Sequence, residues 1–224
     1  SPIVDVDTIL DRYVNLMKKA STISVSIKVT NTQFPGEGSG NLTVAKPNRI
    51  SFSSSWAGQH FSFFQDGRHI AEVNRTSKKY REWPPFPTLL PPPGEVSALG
   101  PYSFPKLLLL SDLRFIGDAP KKKLLASLPG SRNQTVLLNY NTMNGPAELE
   151  VTIDEIGRLV RSSSTIVVEG SRVTSKMTYS NWVVDRSYPA SIFAGILEPG
   201  YSADVLPYED IPIQSNEKFT LQGW

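Results

Sequence analysis

Apolar and polar residues alternate in two long blocks of this chain, from Ile23 to Phe64 and from Gln134 to Trp182. Ile23, Val25, Ile27 and Val29 alternate with Ser24, Ser26, Lys28 and Thr30, which predicts a strand with one buried face and one wet face. Leu42 and Val44, then Ile50 and Phe52, then Phe61 and Phe63 continue the period. Asn31 to Gly40 reads as a turn-rich loop. Lys46-Pro47-Asn48 and Asp66-Gly67 read as turns, since proline lacks a ladder donor and glycine accepts positive φ. His69 to Asn74 and Lys79 to Trp83 complete a first meander. In the second block, Val136, Leu138 and Tyr140, then Leu149, Val151 and Ile153, alternate in the same way. Turns at Asp154-Glu155-Ile156-Gly157 and Glu169-Gly170-Ser171 make it up-and-down.

One segment ahead of the strands has a different period. Val6, Leu10, Tyr13, Val14 and Met17 recur at helical spacing and predict a helix from Val4 to Ala20. Asp5 or Asp7 is placed to cap it, and Lys18 and Lys19 suit its negative end. Between the two blocks lies an insert from Pro84 to Pro129 whose first part is too rich in proline for helix or central strand. Pro105 to Phe115 reads as a helix, and Lys121 to Leu128 as another short one. The expected fold is mainly β with a few helices. It is a half-open antiparallel β-barrel, a strongly curved sheet, with an N-terminal helix and a helical, proline-rich lid. We expect one domain over residues 1–224, with its core at about 4–200, the lid at about 84–129 and an irregular tail at about 201–224.

Composition narrows the function. The 224 residues are 39% hydrophobic, enough for a sizeable core, and the formal charge of +2 is too balanced for a nucleic-acid footprint. Lys121-Lys122-Lys123 is the only basic run. It is a solvated loop or helix start, or a weak contact with anionic lipid, which would want more than three charges. The absence of cysteine excludes a disulfide framework, a zinc–thiolate site and a cysteine nucleophile. No stretch approaches the ~18 apolar residues of a membrane span. The chain begins at Ser1 without methionine, which fits a removed signal peptide.

No motif of catalysis or cofactor binding stands out. There is no glycine-rich phosphate loop, zinc-binding His-Glu-x-x-His or Gly-x-Ser-x-Gly elbow. His60 and His69 flank the Asp66-Gly67 turn and could approach each other, but a metal would want a third ligand. Glu148 and Glu150 share the wet face of one strand. The remaining candidates are apolar: Phe52, Trp56, Phe61, Phe63, Tyr80, Trp83, Phe86, Leu107, Leu110 and Phe115. They either line a cavity between curved sheet and lid or fill an ordinary core.

Several short motifs, taken in order, resemble the LolA/LolB-like superfamily of bacterial lipoprotein carriers, and are closest to its periplasmic DUF2092-type branch. They are Gly40-Asn41-Leu42-Thr43-Val44-Ala45-Lys46-Pro47-Asn48-Arg49-Ile50, Phe64-Gln65-Asp66-Gly67-Arg68 and Lys79-Tyr80. Tyr179-Ser180-Asn181-Trp182-Val183-Val184-Asp185, Pro189-Ala190-Ser191-Ile192-Phe193 and Glu198-Pro199-Gly200 follow late in the chain. The resemblance spans roughly Val4 to Gly200. It implies a half-barrel of about eleven strands, plugged by helices, whose apolar face holds acyl chains. The expectation is a non-enzymatic periplasmic or otherwise extracytoplasmic protein, a monomer without cofactor, that carries lipid, lipoprotein acyl chains or another amphiphile. The alternative is an envelope-sensing module on the same fold, with the proline-rich insert docking a protein partner. The family's carriers hold the lid with an arginine on the strand after Lys-Pro-Asn. Here Arg49 follows the turn at once and Phe52 sits deeper.

Overall fold

A computed structural model describes residues 5–33, 36–83, 121–127, 130–142, 145–168 and 170–203. Helix α1 (Val6–Lys19) leads into β1 (Thr22–Asn31), β2 (Glu37–Ala45), β3 (Arg49–Trp56), β4 (Gln59–Gln65), β5 (Ile70–Asn74) and β6 (Lys79–Trp83). The second run is β7 (Lys121–Leu125), β8 (Gln134–Thr142), β9 (Gly145–Ile153), β10 (Leu159–Val168) and β11 (Ser171–Val184). A one-turn 3-10 helix (Ala190–Phe193) and β12 (Ser202–Ala203) follow. The strands form one strongly curved open sheet in the order β12-β6-β5-β4-β3-β2-β1-β11-β10-β9-β8-β7. Two antiparallel meanders are thus joined where β1 pairs with β11, and among the described strands only β12 runs parallel to its neighbour.

Register assigns each side chain to a face. Val25 lies opposite Leu42, Leu42 opposite Phe52, and Phe52 opposite Phe63, so these four share the inner face. Val136, Leu149 and Met177 continue it in the second meander, and all are buried. Helix α1 lies on this face and adds Ile9, Leu10, Tyr13, Val14 and Met17 to the same core. Its main sheet contacts are with β7 and β9. One glycine permits that approach. Gly157 has φ +94°, and a Cβ there would fall 2.5 Å from the carbonyl oxygen of Arg12 on α1.

Three local expectations are corrected. Residues 121–125 form edge strand β7 rather than a helix, because Lys122 and Leu124 pair with inward-facing Leu138 and Val136 while lysines suit a sheet edge. The loop after β1 is shorter than Asn31–Gly40, since β2 begins at Glu37. Gly40 belongs to the ladder, and its missing side chain leaves room for Phe52, whose Cε2 would lie 3.0 Å from a Cβ. Asp5 occupies the N-cap of α1 without a side-chain cap bond, and Asp7 instead meets Lys122 at 2.7 Å. The proposed lid helix over Pro105 to Phe115 lies outside the described residues.

After β11 the chain crosses to the outer face. Phe193 is buried there, and the Arg49 guanidinium lies 5.5 Å from its ring centroid. Gly195 runs against Phe64, 3.0 Å from where its Cβ would be, and Ser202 and Ala203 then pair with Lys79 and Tyr80 on β6. Ala71 and Val73, which share the outer face with Phe64, are buried. The segment therefore builds a second, smaller apolar layer on the back of the first meander.

Candidate functional site

The inner face divides into two halves. Over the second meander α1 fills it. Tyr13 and Tyr179 are buried, and burial pushes both phenols well above their ordinary pKa. The Tyr179 hydroxyl is satisfied by Ser162 Oγ at 3.0 Å, with Met177 Sδ at 3.4 Å. Burial also raises Tyr140, against a side-chain hydrogen bond from Ser164. This half is packed core.

The first meander carries the aromatic residues singled out from the sequence. Phe52 and Phe63 face each other across β3 and β4 and are buried. Phe61, opposite Ser54, and Trp56, the last residue of β3, extend the strip towards the Ala57-Gly58 hairpin, and both are half-buried. Deeper along the same face lie Gln65, fully buried, then Ile70. Glu72, opposite Phe63, and Arg81, opposite Glu72, bring charge to it. The structure thus brings together Phe52, Trp56, Phe61 and Phe63. Tyr80 faces the other way: it lies opposite Val73, on the outer face, because it neighbours Arg81 in the pleat. Trp83 ends β6 opposite Ile70. Phe86, Leu107, Leu110 and Phe115 lie outside the described residues.

Two histidines are not brought together. His60 is near the start of β4, with its backbone N–H on Thr76 Oγ1 at 2.8 Å. His69 follows the turn at the far end, 3.2 Å from Asp66. Burial alone would raise Asp66. The backbone N–H groups of His69 and Arg68, with the His69 ring, outweigh it and hold the carboxyl below its usual value. Among the described residues no group of three or more His, Cys, Asp or Glu could hold a metal ion. Glu148 and Glu150 are exposed on the outer face, with Leu149 and Val151 fully buried behind them.

A junction that sequence reasoning missed fixes the helix to the sheet. Lys46 Nζ donates to the carbonyls of Met17 and Lys18 at 2.9 and 2.7 Å, closing the C-terminus of α1. Burial lowers the Lys46 pKa, partly offset by Asp185. Asp185 Oδ1 accepts from Ser21 N at 2.7 Å and Ser21 Oγ at 2.9 Å. The Thr22 hydroxyl bonds the Arg186 carbonyl at 2.7 Å. The backbone N–H of Ser21, its hydroxyl and then Lys46 hold Asp185 below the usual carboxylate value. Lys46 and Asp185 both belong to motifs quoted above, but only as turn and strand endings. No spacing rule links two residues so far apart in the chain.

An open cleft of about 610 Å³ lies on the outer face of the second meander, lined by Thr135, Thr152, Arg161 and Thr178 among others. It includes none of the aromatic candidates.

No protein-family model matches the chain, and no curated protein matches its sequence. Solved structures do. LprF from Mycobacterium bovis is similar at 12% identity and TM-score 0.41, over 80% of this chain and 94% of that one. A DUF1329 family protein from Desulfovibrio piger gives 10% and 0.39, over 85% and 97%. A LolA superfamily protein from Nitrosomonas europaea gives 13% and 0.33, over 85% and 97%. The fold itself, an open curved sheet with an N-terminal helix on its inner face, is the arrangement that the motif resemblance implied. No helix among the described residues is long and apolar enough to cross a membrane.

Proposed function

We propose that this protein is a non-enzymatic, extracytoplasmic carrier or binding protein for a lipid, a lipoprotein acyl chain or another amphiphile. The observation that carries the reading is the aromatic strip Phe52, Phe63, Phe61 and Trp56 on the inner face of an open sheet. Helix α1 packs mainly on the other half, and Trp56 and Phe61 remain half-exposed. Partly exposed aromatic rings continuous with the buried Phe52 and Phe63 suit a flexible apolar chain, which needs area rather than directed hydrogen bonds. A sixteen-carbon chain fully buried gains roughly 12 kcal/mol before association costs, at about 0.8 kcal/mol per CH₂. The resemblance in motif order points the same way.

The test is native mass spectrometry of freshly purified protein, followed by organic extraction. We expect an acyl-bearing species in stoichiometric amount, lost in Phe61→Asp and Trp56→Ser. A clean apo mass that phospholipid and acylated peptide leave unchanged would overturn the carrier reading.

A further inference from the structure

The lysine run gains a new meaning from its place on β7. Lys122 turns inward and its Nζ meets Asp7 on α1, so the run splits. Lys121 and Lys123 project outward, opposite Asn139 and Leu137. Register then carries the outer face across the second meander. Thr135, Thr152, Arg161, Thr178 and Lys28 form one cross-strand row. Leu137, Glu150, Ser163 and Lys176 form the next, with Lys123 at its edge. Lys121, Lys123, Arg161 and Lys176 are all exposed. None makes an ion pair with a described residue, and Glu150 is the one acid among them without such a partner. The other charges here are matched, Lys28 with Glu37 and Arg172 with Glu148, both at 3.4 Å.

We propose that the outer face of β7 to β11 is a docking surface for an anionic phospholipid bilayer. Charge complementarity favours it: four exposed cations stand on this face against one exposed acid, Glu150, outside the ion pairs. Between the four cations lie the hydroxyls of Thr135, Ser163 and Thr178, the buried Thr152 and a single aliphatic residue, Leu137, whereas a protein partner would want a larger desolvated aromatic or aliphatic centre. Cations spread over a sheet face match a surface of diffuse negative charge, where each adjacent Lys or Arg contributes about a fivefold gain in partitioning. The cleft beside Arg161, which Leu125, Val160 and Glu150 also line, leaves room for a headgroup on the Arg161 side. This surface lies opposite the inner aromatic strip, and the proposal does not depend on what that strip holds.

The experiment is flotation of the full chain with vesicles of phosphatidylcholine alone, or of one part phosphatidylglycerol to two parts phosphatidylcholine, at low and high salt. We expect binding only to the anionic vesicles, weakened by salt as the screening length shortens. The variant Lys123→Gln/Arg161→Gln/Lys176→Gln should bind at least tenfold more weakly with an unchanged melting temperature. A matched control, Arg68→Gln/Lys78→Gln/Lys79→Gln, removes equal charge from the first meander and should bind like wild type. Equal binding to both vesicles, no binding to either, or equal loss in the control would overturn the proposal. So would tighter binding to an acidic peptide or to DNA than to the anionic vesicles, which would assign the face to another partner. Acyl capture by the inner face acts on both vesicle types, so it cannot mimic the expected difference.

Discussion

Asp185 shows how much one side chain decides at the start of the sheet. Its backbone is left-handed, φ 58°, its N–H bonds the carbonyl of Thr22, and its carboxylate takes both donors of Ser21. Because its pKa is held below the ordinary 3.8, its contribution to stability is complete above that value. It is lost as pH falls through the lower, folded-state value. Asp185→Asn keeps the Oδ1 acceptor and removes the titration. Urea unfolding measured from pH 7 down to pH 2 should give a shallower acid slope for the variant than for wild type. Parallel slopes would show that the carboxylate charge does not hold this junction. Lys46, on the other side of the same junction, closes the helix through two carbonyls, so α1 is tied to β1 from the β2–β3 turn and from the end of β11 together.

At the scale of elements, the segment after β11 carries a clear expectation. Phe193 is buried on the outer face against Arg49, close to where the chain runs over Phe64. Phe193→Ala should cost about 3–5 kcal/mol, a large-aromatic-to-alanine value for a buried site. A thermal melt should fall by roughly 10 °C for a chain of this size. Limited proteolysis should then cut between residues 186 and 203 before it cuts the strands. An unchanged melt would mean that this segment does not stabilise the sheet. Period-2 alternation made the strands legible, because the inner face is buried almost everywhere. It did not reveal β7: three lysines in a row carry no alternation, and only pairing with β8 selects strand over helix.

Taken whole, the molecule is a curved sheet with one half of its inner face filled by its own helix and an aromatic strip on the other. If an amphiphile binds there, it stabilises the folded state by mass action. A soluble acyl ligand at a hundredfold excess over its Kd contributes about 2.7 kcal/mol, a rise in melting temperature of roughly 5–10 °C. The rise should be smaller in Trp56→Ser than in wild type, and an equal rise would place the ligand elsewhere. The sequence alone determined the amphipathic helix, the alternating strands β1 to β4 and β8 to β11, and which of their residues face inward, since local period and turn chemistry are properties of neighbours in the chain. Only the tertiary structure decided that Tyr80 turns away from Phe52 and Phe63, that Lys46 and Asp185 both hold the junction after α1, and that Lys123, Arg161 and Lys176 share one surface. Those relations depend on register and strand order, which are fixed by long-range pairing and by the burial of one shared face, not by anything that residues near one another in sequence can express.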